Sequence, residues 1–263
     1  MSPQQTLYDL LLETDAQTKC AFTKNLEYDV AWKKHPAPLR HPQRIECPGY
    51  PEQLTLVAPR ELKKRGLQSQ EGRNIFIHAI AHIEFNAINL AFDAIYRFSD
   101  MPTSFYQDWL RVAKDEARHF QLLNDYLNAH DCGYGDYPAH NGLWEMALNT
   151  AHDVTARMAL VPRVLEARGL DVTPNMKKRF INAGDHEAAQ ILETIYQDEI
   201  AHVEIGSKWF RYCCEERSLP AKETFFNLIN KHLHGTLKGP FNLSARLLAG
   251  FEEEELERLQ RDF

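Results

Sequence analysis

The sequence predicts an all-α protein: a four-helix bundle with additional helices before and after it. Long stretches place apolar residues three and four positions apart, the period of an amphipathic helix, and residues 70–98 do so without an internal proline. Glycine and proline separate these stretches, as between 133 and 138. No stretch shows the strict alternation of apolar and polar residues that is typical of a half-buried strand.

The helices are predicted in chain order from the same patterns. Residues 3–34 form one or two short helices, and six prolines between positions 36 and 59 exclude a continuous helix there. Thr173 before Pro174 is expected to cap the fourth bundle helix, which Gly184 could interrupt. The bundle helices are predicted at about 70–98, 102–130, 142–168 and 173–217, followed by a short helix at 220–232 and an exposed or frayed helix at the acidic run 252–255.

The chain is therefore divided into one main domain and two attached segments. Its 263 residues, 44% of them hydrophobic, suffice for one sizeable core, and nothing indicates two domains of similar size. Residues 1–69 are predicted to be a helical and proline-rich arm packed on the bundle, 70–217 the metal-binding bundle, and 218–263 a helical extension.

Composition favours a cytoplasmic protein without a membrane partner. No apolar run approaches the roughly 20 residues of a membrane-spanning helix, and the N-terminus lacks the regions of a signal peptide. The five cysteines include no Cys-x-x-Cys, so we expect small buried or half-buried thiols in a reducing compartment. The net charge of −7 argues against general nucleic-acid binding. Only residues 33–65, with eight basic and three acidic side chains, would suit an anionic substrate, although such a stretch is usually a solvated surface.

Two segments match each other and carry the candidate chemistry. Residues 115–119 and 198–202 both read Asp-Glu-x-x-His, on the second and fourth predicted bundle helices. Residues three apart lie on the same side of a helix, so each Glu and its His can bind one ion. A single Glu-x-x-His is weak evidence, whereas two copies on similar helices are much stronger. The pairs are Glu116 with His119 and Glu199 with His202.

The predicted burial of these glutamates indicates a metal. Glu116 and Glu199 lie on apolar helix faces, and the first bundle helix adds Glu84 between isoleucines and alanines. A buried carboxylate must be protonated, ion-paired or metal-bound, and a metal accounts for several of them together. For the fourth carboxylate we choose Glu166 over Glu145, because Glu145 lies near the start of its helix. Pro162 predicts an irregular helix beside Glu166.

This ligand order resembles the ferritin-like superfamily, in a poorly characterised bacterial branch, over roughly residues 70–210. In site layout it is also distantly similar to the tRNA-hydroxylating di-iron enzymes. The resemblance implies a ferritin-like four-helix bundle that binds two iron ions, or manganese as the alternative, with Glu116 and Glu199 as bridging ligands. The implied metal ligands are Glu84, Glu116, His119, Glu166, Glu199 and His202.

Other polar residues have less specific interpretations. Asp115 and Asp198 precede the ligand glutamates and could accept a hydrogen bond from a ligand histidine; surface aspartates are the alternative. His78 and His82 are interpreted as a packed or exposed pair rather than metal ligands, and Tyr196 as a core residue. No catalytic residue beyond the metal ligands, and no other cofactor site, is predicted.

Three functions fit these patterns. The first is a di-iron enzyme that activates O2 to oxidise or hydroxylate a small-molecule or RNA substrate, with an electron donor as partner. The second is an iron-binding or ferroxidase-type metal-handling protein. The third is a non-catalytic helical scaffold. The substrate and the oligomeric state are left open, with a homodimer as one option.

Overall fold

The computed structural model describes residues 3–28, 42–62, 66–233 and 237–263. These residues are mostly helical, and the only strand-like pairing among them is an isolated bridge between Leu56 and Ala139. The all-α prediction is thus confirmed. The chain forms two compact units, Met1–Leu148 and Asn149–Phe263. The predicted division at 69/70 and 217/218 stays a prediction.

Unit 1 is built on two long helices. Its helices are α1 (Pro3–Leu12), α2 (Ala16–Asn25), α3 (Gln70–Arg97), α4 (Thr103–Ala129) and α5 (Gly142–Asn149), of which the last ends one residue beyond the unit. The predicted bounds of α3 and α4 are confirmed within a residue or two. Asn74 donates a hydrogen bond to the His130 carbonyl at one end of the pair, and Tyr106 donates one to the Phe98 carbonyl at the other. The two helices are therefore antiparallel.

The arm of unit 1 packs on this helix pair. Helix α1 packs on α3 and α2 on α4, while residues 42–58 are non-helical, as their prolines predict. The ammonium of Lys19 on α2 is fully buried and donates to Asn89 Oδ1 on α3 at 2.7 Å. The rest of the predicted first helical segment, and most of the basic residues between 33 and 65, lie outside the described residues.

Unit 2 contains a second antiparallel pair, of which one member is irregular. That member consists of α6 (Val154–Leu160), a π-helical turn (Val161–Glu166) and α7 (Ala167–Asn182), and its partner is α8 (His186–Glu216). Asp153 contacts Arg217 at one end of the pair, Arg163 contacts Ser207 near the middle, and Lys177 contacts Glu193 at the other end. Helices α9 (Ala221–Leu233), α10 (Leu243–Leu248) and α11 (Glu253–Asp262) follow.

The predicted start of the third bundle helix and the predicted end of the fourth agree with the structure within one residue, whereas the predicted end of the third and start of the fourth are wrong. The third breaks at 150–153, where Asp153 accepts a hydrogen bond from the Thr155 N–H and starts α6. Helix α7 then continues through Pro174 instead of starting there. A proline removes the donor for the carbonyl four residues earlier, and the side-chain amide of Asn242 donates to that carbonyl, of Leu170, at 3.1 Å. The predicted break near Gly184 is confirmed, since Asp185 caps α8.

Three further predictions need correction. The acidic run 252–255 begins a regular helix, and Glu255 is buried rather than exposed. Cys47 is exposed, whereas the other four cysteines are buried as predicted; all five are free thiols. Helix α3 is long and apolar enough to cross a membrane, with a mean hydropathy of 1.4 over its most apolar 18 residues. However, 83% of this stretch is buried inside the protein. Such burial is typical of the core helix of a soluble protein.

Candidate metal centre

Helices α3 and α4 hold three of the predicted ligands in direct contact. The ring nitrogen Nδ1 of His119 lies 3.2 Å from Glu84 Oε2 and 3.2 Å from Glu116 Oε2. Glu116 and His119 are fully buried, and Glu84 is only 4% exposed. Two carboxylates and one imidazole thus share a small buried volume within one regular helix pair.

The apolar pattern of the sequence explains this burial. On α4, Glu116 follows Trp109 and Val112 and precedes Phe120 on the buried face. On α3, Glu84 lies one turn after the buried Ala81, on a helix that is buried on almost every side. The burial predicted for both glutamates is confirmed.

The second helix pair holds the other predicted ligands in a looser arrangement. Glu199 and His202 are both buried on α8, and His202 Nδ1 lies 3.7 Å from Glu199 Oε1. Glu166 ends the π-helical turn and is half-buried. Its competitor Glu145 is exposed on α5, so burial favours Glu166 as the fourth carboxylate.

The π-helical turn has a local cause that the sequence shows in part. Pro162 lacks the N–H that a regular helix would use, and π turns frequently occur at functional sites. The irregularity predicted at Pro162 is therefore confirmed. Opposite it, Gly206 on α8 lets the proline ring approach closely: a Cβ at position 206 would lie 2.3 Å from Pro162 Cβ. Only glycine fits that contact without movement.

Three of the predicted ligands form a group in unit 1 that could hold a metal ion. Glu84, Glu116 and His119 each offer a donor atom, and these atoms lie within 4.8 Å of one another. His119 can supply at most one positive charge against two carboxylates, and buried like charges are unfavourable. Added positive charge, such as a metal ion, would stabilise the group. Glu166, Glu199 and His202 belong to unit 2, and their assignment as ligands stays a prediction.

The two aspartates predicted to orient the histidines are less buried than the ligands. Asp115 Oδ1 lies 3.7 Å from the Arg118 guanidinium, and a third of its side chain is exposed. Asp198 is half-buried. Their predicted hydrogen bonds to His119 and His202 stay predictions. Tyr196, predicted to be a core residue, is half-buried and accepts a hydrogen bond from the side-chain amide of Asn242.

His78 and His82 are buried on α3 in a separate hydrogen-bond network, which agrees with their interpretation as a packed pair. His82 Nδ1 lies 2.8 Å from the Tyr134 hydroxyl, and its Nε2 lies 3.1 Å from the His140 carbonyl. Burial lowers the pKa of His82 to about 3. The Nε2 atom of His78 accepts a hydrogen bond from the Gly135 N–H at 2.9 Å.

Sequence reasoning missed the charged residues that support the second helix pair. Arg163 on the π-helical turn is 1% exposed, and its Nη2 donates to Glu255 Oε2 on α11 at 2.7 Å. Burial lowers the pKa of Arg163, while the Glu255 carboxylate opposes that shift. An arginine inside the apolar run 159–165 is a usable sequence signal, whereas nothing in the acidic run identifies Glu255 as buried.

Comparisons with known proteins found a matching family model and a similar protein. A family model described as "Protein of unknown function (DUF455)" matches residues 12–257. A protein of Haemophilus influenzae (strain ATCC 51907 / DSM 11121 / KW20 / Rd), named "Uncharacterized protein", is 47% identical over 215 residues, which cover 79% of this chain and 75% of that protein. No solved structure matches the chain. The chain therefore belongs to the family of proteins of unknown function DUF455.

Proposed function

We propose that the protein is a two-metal carboxylate oxidoreductase that activates O2 to oxidise or hydroxylate an organic substrate. The observation that carries this proposal is the buried contact of His119 with Glu84 and Glu116. Carboxylate and imidazole donors without a thiolate suit iron or manganese, and iron is our first choice. Two iron ions bound there would supply the reduction of dioxygen and the oxidation of the substrate.

The proposal includes the arrangement of the two helix pairs. In it, both pairs contribute to one ferritin-like four-helix bundle, and their ligands face a common centre. Two facts support this: each pair is antiparallel, and each carries one glutamate on one helix and a Glu-x-x-His on the other, as such bundles do. In this arrangement Glu116 and Glu199 would hold the ions together with the other carboxylates, and each histidine would hold one ion.

The residues of the chain have defined tasks in this proposal. The regular pair α3 and α4 would hold one ion through Glu84, Glu116 and His119, whose ring nitrogen Nδ1 lies 3.2 Å from each of the two carboxylates. Glu166 and His202 would hold the second ion. Burial excludes water from these groups, which strengthens their electrostatic interactions with an ion. The imidazoles must be neutral to act as ligands, so binding is expected to weaken at acidic pH.

The basic residues between 33 and 65 bear on the choice of substrate. Arg44, one of the described basic residues between 33 and 65, is already paired with Glu46 at 2.6 Å. A small organic molecule is therefore our first choice, with RNA as the second. An oxygenase of this kind also needs an electron donor, and a homodimer is compatible with the proposal.

Elemental analysis of the purified protein tests the centre. We expect about two iron or manganese ions per chain in the wild type, and a clear loss in Glu116→Ala and His202→Ala. Glu204→Ala is the matched control, because Glu204 lies two residues after His202 on the exposed face of α8. No metal after anaerobic loading of a folded wild type would reject the proposal and favour a scaffold.

Oxygen reactivity tests the enzymatic part. Protein loaded anaerobically with Fe(II) is expected to change its absorption spectrum on exposure to oxygen. The absence of any change would contradict O2 activation even if two ions bind. Light scattering separates an oxygenase from a storage protein, since a cage-sized assembly would instead indicate metal handling.

A further inference from the structure

The C-terminal segment of unit 2 contacts the irregular helix at three levels. Glu255 on α11 binds the π-helical turn itself, and Arg246 and Asn242 bind the first turns of α7. We call Asn242, Arg246 and Glu255 the C-terminal clamp. All three contacts lie within eight residues of Glu166, the proposed fourth carboxylate.

The first contact is a buried ion pair. Arg163 and Glu255 are 1% and 4% exposed, and Arg163 Nε also donates to the Ser207 hydroxyl at 3.2 Å. The guanidinium carbon lies 4.2–4.8 Å from the centres of three aromatic rings, which surround it with apolar and cation–π contacts. The rings are those of Phe210, Phe225 and Phe251. A guanidinium in this surrounding needs the Glu255 carboxylate, because an unpaired buried charge is strongly unfavourable.

The second and third contacts supply donors to the helix after the turn. Arg246 forms two hydrogen bonds to the Asp171 carboxylate, at 2.8 and 2.9 Å, and a longer one to the Ala167 carbonyl. Asn242 satisfies the Leu170 carbonyl that Pro174 leaves without a backbone donor. Both interactions stabilise the first turns of α7, immediately after Glu166, although Pro174 lies inside this helix.

We propose that the C-terminal clamp positions Glu166 for metal binding, with Glu255 acting through Arg163. This inference rests on the proposed two-metal function. Arg163 and Glu166 belong to the same π-helical turn, three residues apart, so the position of the guanidinium fixes the backbone that carries the carboxylate. Without Glu255, Arg163 leaves its aromatic surroundings for water and the turn moves with it. The ion bound by Glu166 loses affinity, while the ion held by α3 and α4 does not.

The test compares Glu255→Gln with Glu254→Gln. Both substitutions neutralise one carboxylate of α11, but Glu254 is exposed and paired with Lys222 at the surface, away from the turn. Two measurements are made on the full-length protein: hydrogen–deuterium exchange of residues 161–171 without metal, and anaerobic titration with Fe(II) alone. Partners that orient metal ligands typically change affinity about 10- to 100-fold. We expect Glu255→Gln to accelerate exchange in that segment and weaken the second ion at least about tenfold, with no change in Glu254→Gln.

The outcomes separate this inference from the proposed function. If the wild type binds two ions and Glu255→Gln binds both with unchanged affinity, the clamp is overturned while the two-metal function stands. If the folded wild type binds no ion, both fail together. Should Glu255→Gln not fold, Asn242→Ala replaces it, because this variant removes the donor to the Leu170 carbonyl and to Tyr196, together with the cap of α10 and the acceptor of the Ser244 hydroxyl. Unchanged exchange and affinity there would equally overturn the clamp.

Discussion

The two helix pairs carry the same combination of predicted ligands on different backbones. In the first pair, α3 and α4 are regular and His119 contacts two carboxylates at 3.2 Å. In the second, Glu166 follows a π-helical turn, and His202 is 3.7 Å from its neighbour Glu199. A rigid, preorganised ligand set binds more tightly than one that must be ordered on binding. The two ion positions are therefore expected to differ in affinity.

The two helix pairs also differ in the buried cation that contacts each of them, Lys19 in unit 1 and Arg163 in unit 2. The arm inserts Lys19 against α3, where its ammonium donates to Asn89 and to the Gly49 carbonyl. In unit 2, Glu255 of the C-terminal segment accepts a hydrogen bond from Arg163 on the irregular helix. A buried lysine can lose its proton, whereas an arginine stays charged at any ordinary pH. Support from the arm should thus depend on pH, and support through Arg163 should not.

The largest expected effect comes from removing one histidine of each pair. His119→Ala should reduce the affinity for the ion held by α3 and α4 by at least roughly 100-fold, since a direct ligand should matter at least as much as its outer partners. His202→Ala should release one ion and retain the other. Anaerobic Fe(II) titration followed by isothermal calorimetry measures both steps.

The control for this comparison is His186→Ala, which removes an exposed histidine from the start of α8. It should bind both ions like the wild type. Equal losses in His119→Ala and His202→Ala would show that the two positions are equivalent, and the structural difference between the pairs would then have no bearing on affinity.

The next effect is the pH dependence of stability that Lys19 contributes. Burial lowers the pKa of Lys19 from 10.5 to about 7, although Cys20, Glu13 and Cys47 oppose the shift. Below pH 7 the amine is protonated in both the folded and the unfolded protein, and the folded protein is destabilised by the full cost of burying the charged ammonium. Between 7 and 10.5 only the unfolded state binds the proton, so stability rises with pH.

Lys19→Met should remove this rise. From pH 7 to 9.5 we expect the wild type to gain on the order of 3 kcal/mol relative to the variant, measured as the difference between their urea unfolding midpoints. Lys24→Met, an exposed substitution on the same helix α2, should leave the wild-type slope intact. Parallel stability curves for the wild type and Lys19→Met would contradict the lowered pKa of Lys19.

The same contrast between the pairs explains what the sequence could predict. The bounds of α3 and α4 follow from uninterrupted helical periodicity, and both Asp-Glu-x-x-His segments lie on the helices where the pattern predicts them. Glu84, Glu116 and Glu199 are buried as their apolar neighbours indicate. These features depend on residues close together in sequence, so periodicity alone reveals them.

Predictions failed where distant residues decide the local structure. Pro174 is a helix start by local rules, yet it lies inside α7 because Asn242, 68 positions later, supplies the missing donor. Glu255 is one of several glutamates in an acidic run, and only Arg163 on another helix makes it buried. Such partners cannot be identified from spacing along a single chain. The residues that stabilise the second helix pair could therefore be identified only from the structure.

The smallest effect tests whether close packing holds the irregular turn in place. Gly206→Ala puts a methyl group within 2.4 Å of the rigid Pro162 ring. Overpacking of this kind costs about 1–3 kcal/mol, which should lower the melting temperature by a few degrees. Gly169→Ala is the matched control on α7, because its Cβ would meet nothing within 4 Å. It should stabilise the protein by roughly 0.5–1 kcal/mol, since alanine favours helix over glycine. If Gly206→Ala proves as stable as the wild type but loses one ion, the glycine maintains the geometry of the ligands rather than the stability of the fold. The difference in affinity between the two ion positions then depends on the packing of Pro162 against α8.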